Sequence, residues 1–182
     1  MTVYTMNYGE DFEYLLPVRK EEYDLLHFDG TARAASWKPV QMERVKVSDR
    51  GRRLKPADLP GGDTDSIMIL GRRAKERIGS YLERYGELLP LACDDGEFWV
   101  LNVTSIADAL DEKASQGVLR ASDDGSLLMV TRPAFRASRL VHEVFILPEP
   151  LPSSIYFTTP GVERIRAAGL TGFEFVPIWA PN

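Results

Sequence analysis

The stretch that most constrains the fold is residues 88–103, where the apolar runs 88–93 (LLPLAC) and 98–103 (FWVLNV) flank Asp94-Asp95-Gly96-Glu97. Asp-Gly tolerates the positive φ of a tight hairpin turn, so the two runs are expected to fold back on each other as antiparallel strands. Just before them, Ser66-Ile-Met-Ile-Leu70 reads as a short buried strand. Ala74, Ile78, Tyr81, Leu82 and Tyr85 then recur on one face of a helix over 72–85, with Gly86 as its stop.

On the N-terminal side, residues 23–28 and 40–47 are rich in β-formers and bounded by Asp29-Gly30 and Asp49-Arg50-Gly51, which predicts strands. Residues 55–63 (KPADLPGGD) concentrate turn-setting residues and read as an exposed loop. After the hairpin, Ser105 is placed to cap a short helix through Leu110. Residues 117–120 and 127–131 flank Asp123-Asp124-Gly125 as a second hairpin. Strands are expected at 144–147 and 154–158, divided by PEPLP at 148–152, because proline cannot donate to a ladder. Thr159-Pro160 opens a second helix, with Glu163 near its positive end and Gly169 as its stop, and Phe173, Phe175 and Trp179 mark a last strand. Strands and helices mix without regular βαβα alternation. The expected class is α+β: a mainly antiparallel mixed sheet with two principal helices, in a single domain over 1–182 whose N-terminal residues 1–60 are strand-rich.

With 182 residues, 44% of them hydrophobic and 27% charged, the chain is long enough to bury a core without disulfides or metals. One cysteine, Cys93, excludes an internal disulfide, and with His27 and His142 as the two imidazoles little remains for a zinc site. Neither metal nor cofactor is expected. The start MTVYTMNYGEDF has no basic or apolar leader region, and no apolar stretch of about 18 residues occurs, so the expected address is the cytoplasm and not a membrane.

A net charge of −5 and a pI near 5.2 disfavour a nucleic-acid binder. The charge is uneven: Arg44, Lys46, Arg50, Arg52, Arg53 and Lys55 face only Asp49 between 44 and 55, whereas acids dominate from 94 to 124. The basic stretch lacks interleaved aromatics for base stacking and reads as a solvated sheet edge.

No catalytic set emerges. Cys93 sits in an apolar strand, where a free thiol acts as a small hydrophobe. His142 and Glu143 are neighbours in a strand and point to opposite faces. Asp94, Asp95, Asp123 and Asp124 occupy turns that favour aspartate locally. Gly61-Gly62 lacks the Gly-Lys-Ser/Thr of a phosphate loop, and no Gly-x-Ser-x-Gly elbow is present.

Residues 86–91 (GELLPL), 98–103 (FWVLNV), 108–111 (DALD), Phe135, 144–146 (VFI), 170–175 (LTGFEF) and Trp179 follow one another in a distinctive order. In that order, over about residues 66–179, the chain resembles immunity-protein family eleven of bacterial polymorphic toxin systems, formerly a domain of unknown function. The first third is similar only loosely, through Trp37 and the Lys55-Pro56-Asp58 loop. The resemblance implies a cytoplasmic, cofactor-free inhibitor, encoded beside a cognate toxin and binding it. Leu89, Pro90, Asn102, Phe173 and Trp179 read as scaffold, which leaves the turns for the partner. Asp94, Asp95, Glu97, Asp123 and Asp124 are the candidate contacts, able to steer a basic toxin. The alternative is a small-ligand or enzymatic domain with a pocket of Trp37, Trp99, Trp179 and the histidines.

Overall fold

The computed structural model describes residues 1–117, 119–120, 127–148 and 154–181. In chain order they form β1 (Val3–Tyr8), β2 (Tyr14–Pro17), β3 (Met42–Val45), β4 (Ile69–Gly71), α1 (Arg72–Leu82), β5 (Gly86–Leu91) and β6 (Phe98–Val103). β7 (Leu119–Arg120), β8 (Leu127–Met129), β9 (Val144–Phe145), β10 (Tyr156–Thr158), α2 (Thr159–Ala167) and β11 (Phe173–Trp179) follow. Named strands pair antiparallel throughout, in the orders β11-β1-β10-β9, β4-β6-β5, β2-β3 and β7-β8. The class is α+β, with strands dominating.

The central hairpin forms, but its first strand lies earlier than the expected 88–93, leaving residues 92–97 as the connection: β5 and β6 pair from Gly86↔Val103 to Leu91↔Phe98, and Gly96 takes φ 143°. Period-2 alternation divides β6 between two cores. Phe98 and Val100 face one with Leu15, Val40, Met42 and Ile69, while Leu101 and Val103 face the other. That second core joins the two helices. Ala74, Ile78, Tyr81 and Leu82 of α1 and Val162 and Ile165 of α2 pack together with Met6, Phe157 and Phe175 of the four-stranded sheet. Each helix follows a strand directly, α1 after β4 and α2 after β10, so their positions are tied to the sheets. Pro160 stands in the first turn of α2, and Gly169 beyond its end takes φ 60°, as the chain pattern demands.

Local expectations fail where distant contacts decide. Residues 20–26 are a 3₁₀ helix (Lys20–Leu26), not a strand, and carry Leu26 into the core. The 40–47 strand shortens to Met42–Val45. Residues 55–63 are irregular but not simply exposed: Leu59 is wholly buried, and its N–H donates to the Thr171 carbonyl at 3.0 Å. Residues 105–110 are not helical, because the Ser105 hydroxyl, instead of capping, donates to the carbonyls of Val144 (2.6 Å) and Tyr85 (3.1 Å). Gly86 opens β5 and does not end α1. A Cβ there would collide with the Asn102 carbonyl oxygen and lie 2.8 Å from the Val103 Cα, so glycine is needed for close strand approach. The second hairpin forms as β7 and β8, with its turn outside the described residues. Among the described residues no helix is long and apolar enough to cross a membrane.

Candidate functional site

The β5–β6 turn holds Asp94, Asp95 and Glu97 exposed, as anticipated. The fold brings basic residues to meet it. Lys46 Nζ lies 2.9 Å from Asp95 Oδ2, Arg44 Nη1 donates to the Asp95 carbonyl at 3.0 Å, and Arg72 Nη2 lies 2.6 Å from Glu97 Oε2. Arg44 also pairs with the buried Glu13, and Arg52 and Lys55 pair with Asp11, while Arg50 and Arg53 form no ion pair among the described residues. Apart from the Arg44–Glu13 pair these are exposed, and such pairs contribute only about 0–1 kcal/mol each. They do cancel much of the field that the linear charge blocks imply. Asp94 makes no ion pair among the described residues, and Asp123 and Asp124 lie outside them.

The aromatic and imidazole residues of the alternative pocket are dispersed. Trp37 packs at 6.1 Å from Phe28 and donates through Nε1 to the Pro90 carbonyl. Trp99 lies under Lys75 Nζ at 3.9 Å. Trp179 meets Phe135 at 5.8 Å in a third core with Phe145 and Tyr156. His27 is exposed, 3.7 Å from Asp24. Among the described residues no group of three or more His, Cys, Asp or Glu is placed to hold a metal.

A feature that the sequence alone did not single out lies between the helices. An open trough of about 680 Å³ is bordered by Arg77, Ser80 and Tyr81 of α1, Glu143, and Glu163 and Arg164 of α2. Two of its lining residues are bonded to each other: the Tyr81 hydroxyl donates to Glu143 Oε2 at 2.8 Å, and Tyr85, outside the lining, packs edge-on against Tyr81 at 5.4 Å. α2 approaches residue 143 so closely that a Cβ at Gly161 would lie 2.7 Å from the Glu143 carbonyl. Burial above all, then the hydrogen bond and charge of Glu143, raise the Tyr81 hydroxyl far above the ordinary tyrosine range. Burial, then Glu143, also raises Tyr85. Both hydroxyls therefore stay protonated near neutrality. Above them lie cations, Arg164 at 5.1 Å over the Tyr81 ring and Arg84 at 5.5 Å over Tyr85 and 5.9 Å over Tyr81. Tyr81 and Tyr85 were legible only as a buried helical face, because Glu143 and Arg164 join them from far along the chain.

A smaller cavity of about 320 Å³ opens beside β1 and β2, with Tyr8, Phe12, Tyr14, Glu10, Asp63 and Asp65 in its wall. Burial raises the Tyr8 hydroxyl, which donates to the Ile67 carbonyl.

Compared with protein-family models the chain matches none, and no curated protein matches it either.

Proposed function

We propose that the chain is an immunity protein, which binds a cognate bacterial toxin and neutralises it in the cytoplasm of the producing cell. The serial motif order of residues 66–179 supports the class, and the α1–α2 trough is the observation that carries partner binding. Arginine is enriched at the energetic centres of protein interfaces, since it offers large contact area together with directed hydrogen bonds. In the trough Arg164 lies over the ring of Tyr81, which Glu143 in turn fixes. An open trough suits a protruding partner segment better than a small ligand, which binding sites usually engulf.

The test is co-expression with the product of each adjacent gene, scored by rescue from growth arrest and co-purification. Rescue with a stable complex is the expected result. Growth unaffected by every neighbour, and no complex, would remove the immunity reading.

A further inference from the structure

Resting on that reading, we infer that the α1–α2 face docks an acidic segment of the partner polypeptide, whose carboxylates pair with Arg77, Arg84 and Arg164. Residues 72–84 and 159–167 together hold seven Arg and Lys against three Glu, in a chain of net charge −5. Two of those cations are already committed, Arg72 to Glu97 and Arg73 to Asp58. Arg77 and Arg164 border the trough, Arg84 lies beside it over Tyr81, and all three rest on other partners. Arg164 and Arg84 lie over tyrosine rings, and Arg77 Nη1 reaches the Ala168 carbonyl at 3.4 Å. Among the described residues none of the three forms an ion pair with a carboxylate. Two guanidinium groups on the border of the trough and a third beside it, over Tyr81, are complementary to carboxylates, which they can engage in bidentate fashion.

A polypeptide fits better than a nucleic acid. A nucleic-acid strand carries one phosphate about every 3.4 Å along its axis and would lay charge over Glu163 and Glu143 in the trough, whereas a polypeptide places carboxylates selectively. Tyr81 and Tyr85 are 7% and 6% exposed, so neither offers an open ring face for base stacking. The partner chemistry is thus acidic, opposite to the basic toxin that the hairpin acids would steer.

The test is fluorescence anisotropy at low salt with three labelled probes: oligo-glutamate, oligo-lysine and single-stranded DNA. The proteins are the wild type, the R77E/R84E/R164E variant, and R52E/K55E, which alters cations outside the trough. Thermal melts establish that each is folded, and single reversals replace the triple variant if it is not. Oligo-glutamate is expected to bind the wild type and R52E/K55E alike, and to lose affinity by about tenfold or more in R77E/R84E/R164E. No oligo-glutamate binding, binding indifferent to the reversal, or stronger binding of DNA would each overturn the proposal. The co-expression assay separates the two readings. Peptide binding without rescue removes the immunity role alone, and equal rescue by wild type and R77E/R84E/R164E removes the docking surface alone.

Discussion

Glu87 ties the loop over residues 31–34 to the central hairpin, and its replacement by glutamine should expose how much that tie contributes. Its Oε2 accepts the Arg33 N–H at 2.7 Å and the Asn102 side-chain amide at 2.9 Å, while Oε1 accepts the Ala34 N–H at 3.2 Å. Asn102 is fully buried and also donates to the Thr31 carbonyl at 2.8 Å. Three donors converge on one carboxylate. Glutamine has a single acceptor oxygen, so in E87Q at least one donor faces an NH₂ group. Hydrogen bonds to a charged group contribute about 1.5–3 kcal/mol and neutral ones about 0.5–1.5, so E87Q should cost about 1–2 kcal/mol at this partly solvated position. Urea unfolding at pH 7 reads this as a lower midpoint at unchanged slope. The pH dependence is a second check. Desolvation pushes the Glu87 carboxyl up, but the N–H donors outweigh it and leave the folded group below its ordinary 4.5. A lowered folded pKa gives stability that is full above the unfolded value and is lost as pH falls through the folded one. The gap between wild type and E87Q should therefore narrow progressively below pH 4.5. A gap that persists unchanged in acid, or is under about 0.5 kcal/mol at pH 7, would refute the anchoring role.

Gly86→Ala should destabilise by about 3 kcal/mol or prevent folding, since its Cβ meets the backbone of Asn102 and Val103; a thermal melt within a few degrees of wild type would contradict this. Phe135→Ala should cost about 3–5 kcal/mol in denaturant, because Phe135 is 4% exposed and its ring contacts Phe145, Tyr156 and Trp179. Tyr81→Phe should cost about 1 kcal/mol near neutrality by removing a hydroxyl donor from Glu143. The raised Tyr81 pKa makes wild-type stability fall as pH climbs above the ordinary tyrosine value of 10.0, and that alkaline loss should be smaller in Tyr81→Phe by difference melts.

The elements legible in the sequence are those whose determinants are local. Asp95-Gly96 sets its own hairpin, Thr159-Pro160 and Gly169 bracket α2, and the spacing of Ala74, Ile78 and Leu82 suffices for α1. β1 is the counterexample: Val3–Tyr8 has ordinary strand composition, and its partners β10 and β11 lie at the far end of the chain. The strand expected over 23–28 is absent for a related reason, Lys20–Leu26 forming a 3₁₀ helix instead. Tyr23 and Phe28 carry strand propensity, but burying Leu26 with Leu15 of β2 and Met42 of β3 outweighs it. The trough is least legible, since it depends on Tyr81 meeting Glu143 and Arg164 across long separations. For the same reason linear charge misleads: the basic stretch and the acidic turn are far apart in sequence, yet Lys46 and Asp95 touch.

The arginines of the trough have a structural role of their own, and one substitution separates it from docking. Arg164 and Arg166 lie in the last turn of α2, and Arg77 reaches the carbonyl of its capping residue Ala168. Cations at that negative end stabilise a helix by about 0.3–1 kcal/mol each, enough to explain their presence without any partner. Arg84 is different. It follows the C-cap of α1, whose own negative end favours a cation, and rests on the rings of Tyr81 and Tyr85, so its charge owes nothing to α2. If the arginines serve only α2, Arg77→Gln lowers the melting temperature and Arg84→Gln binds oligo-glutamate as the wild type does. If the face docks an acidic segment, Arg84→Gln weakens that binding severalfold, by the loss of one charged hydrogen-bonded pair. Anisotropy titration of Arg84→Gln beside its melting curve decides between them: intact affinity leaves the arginines to the helix dipole, and a loss of affinity in a stably folded variant requires an acidic partner on this face.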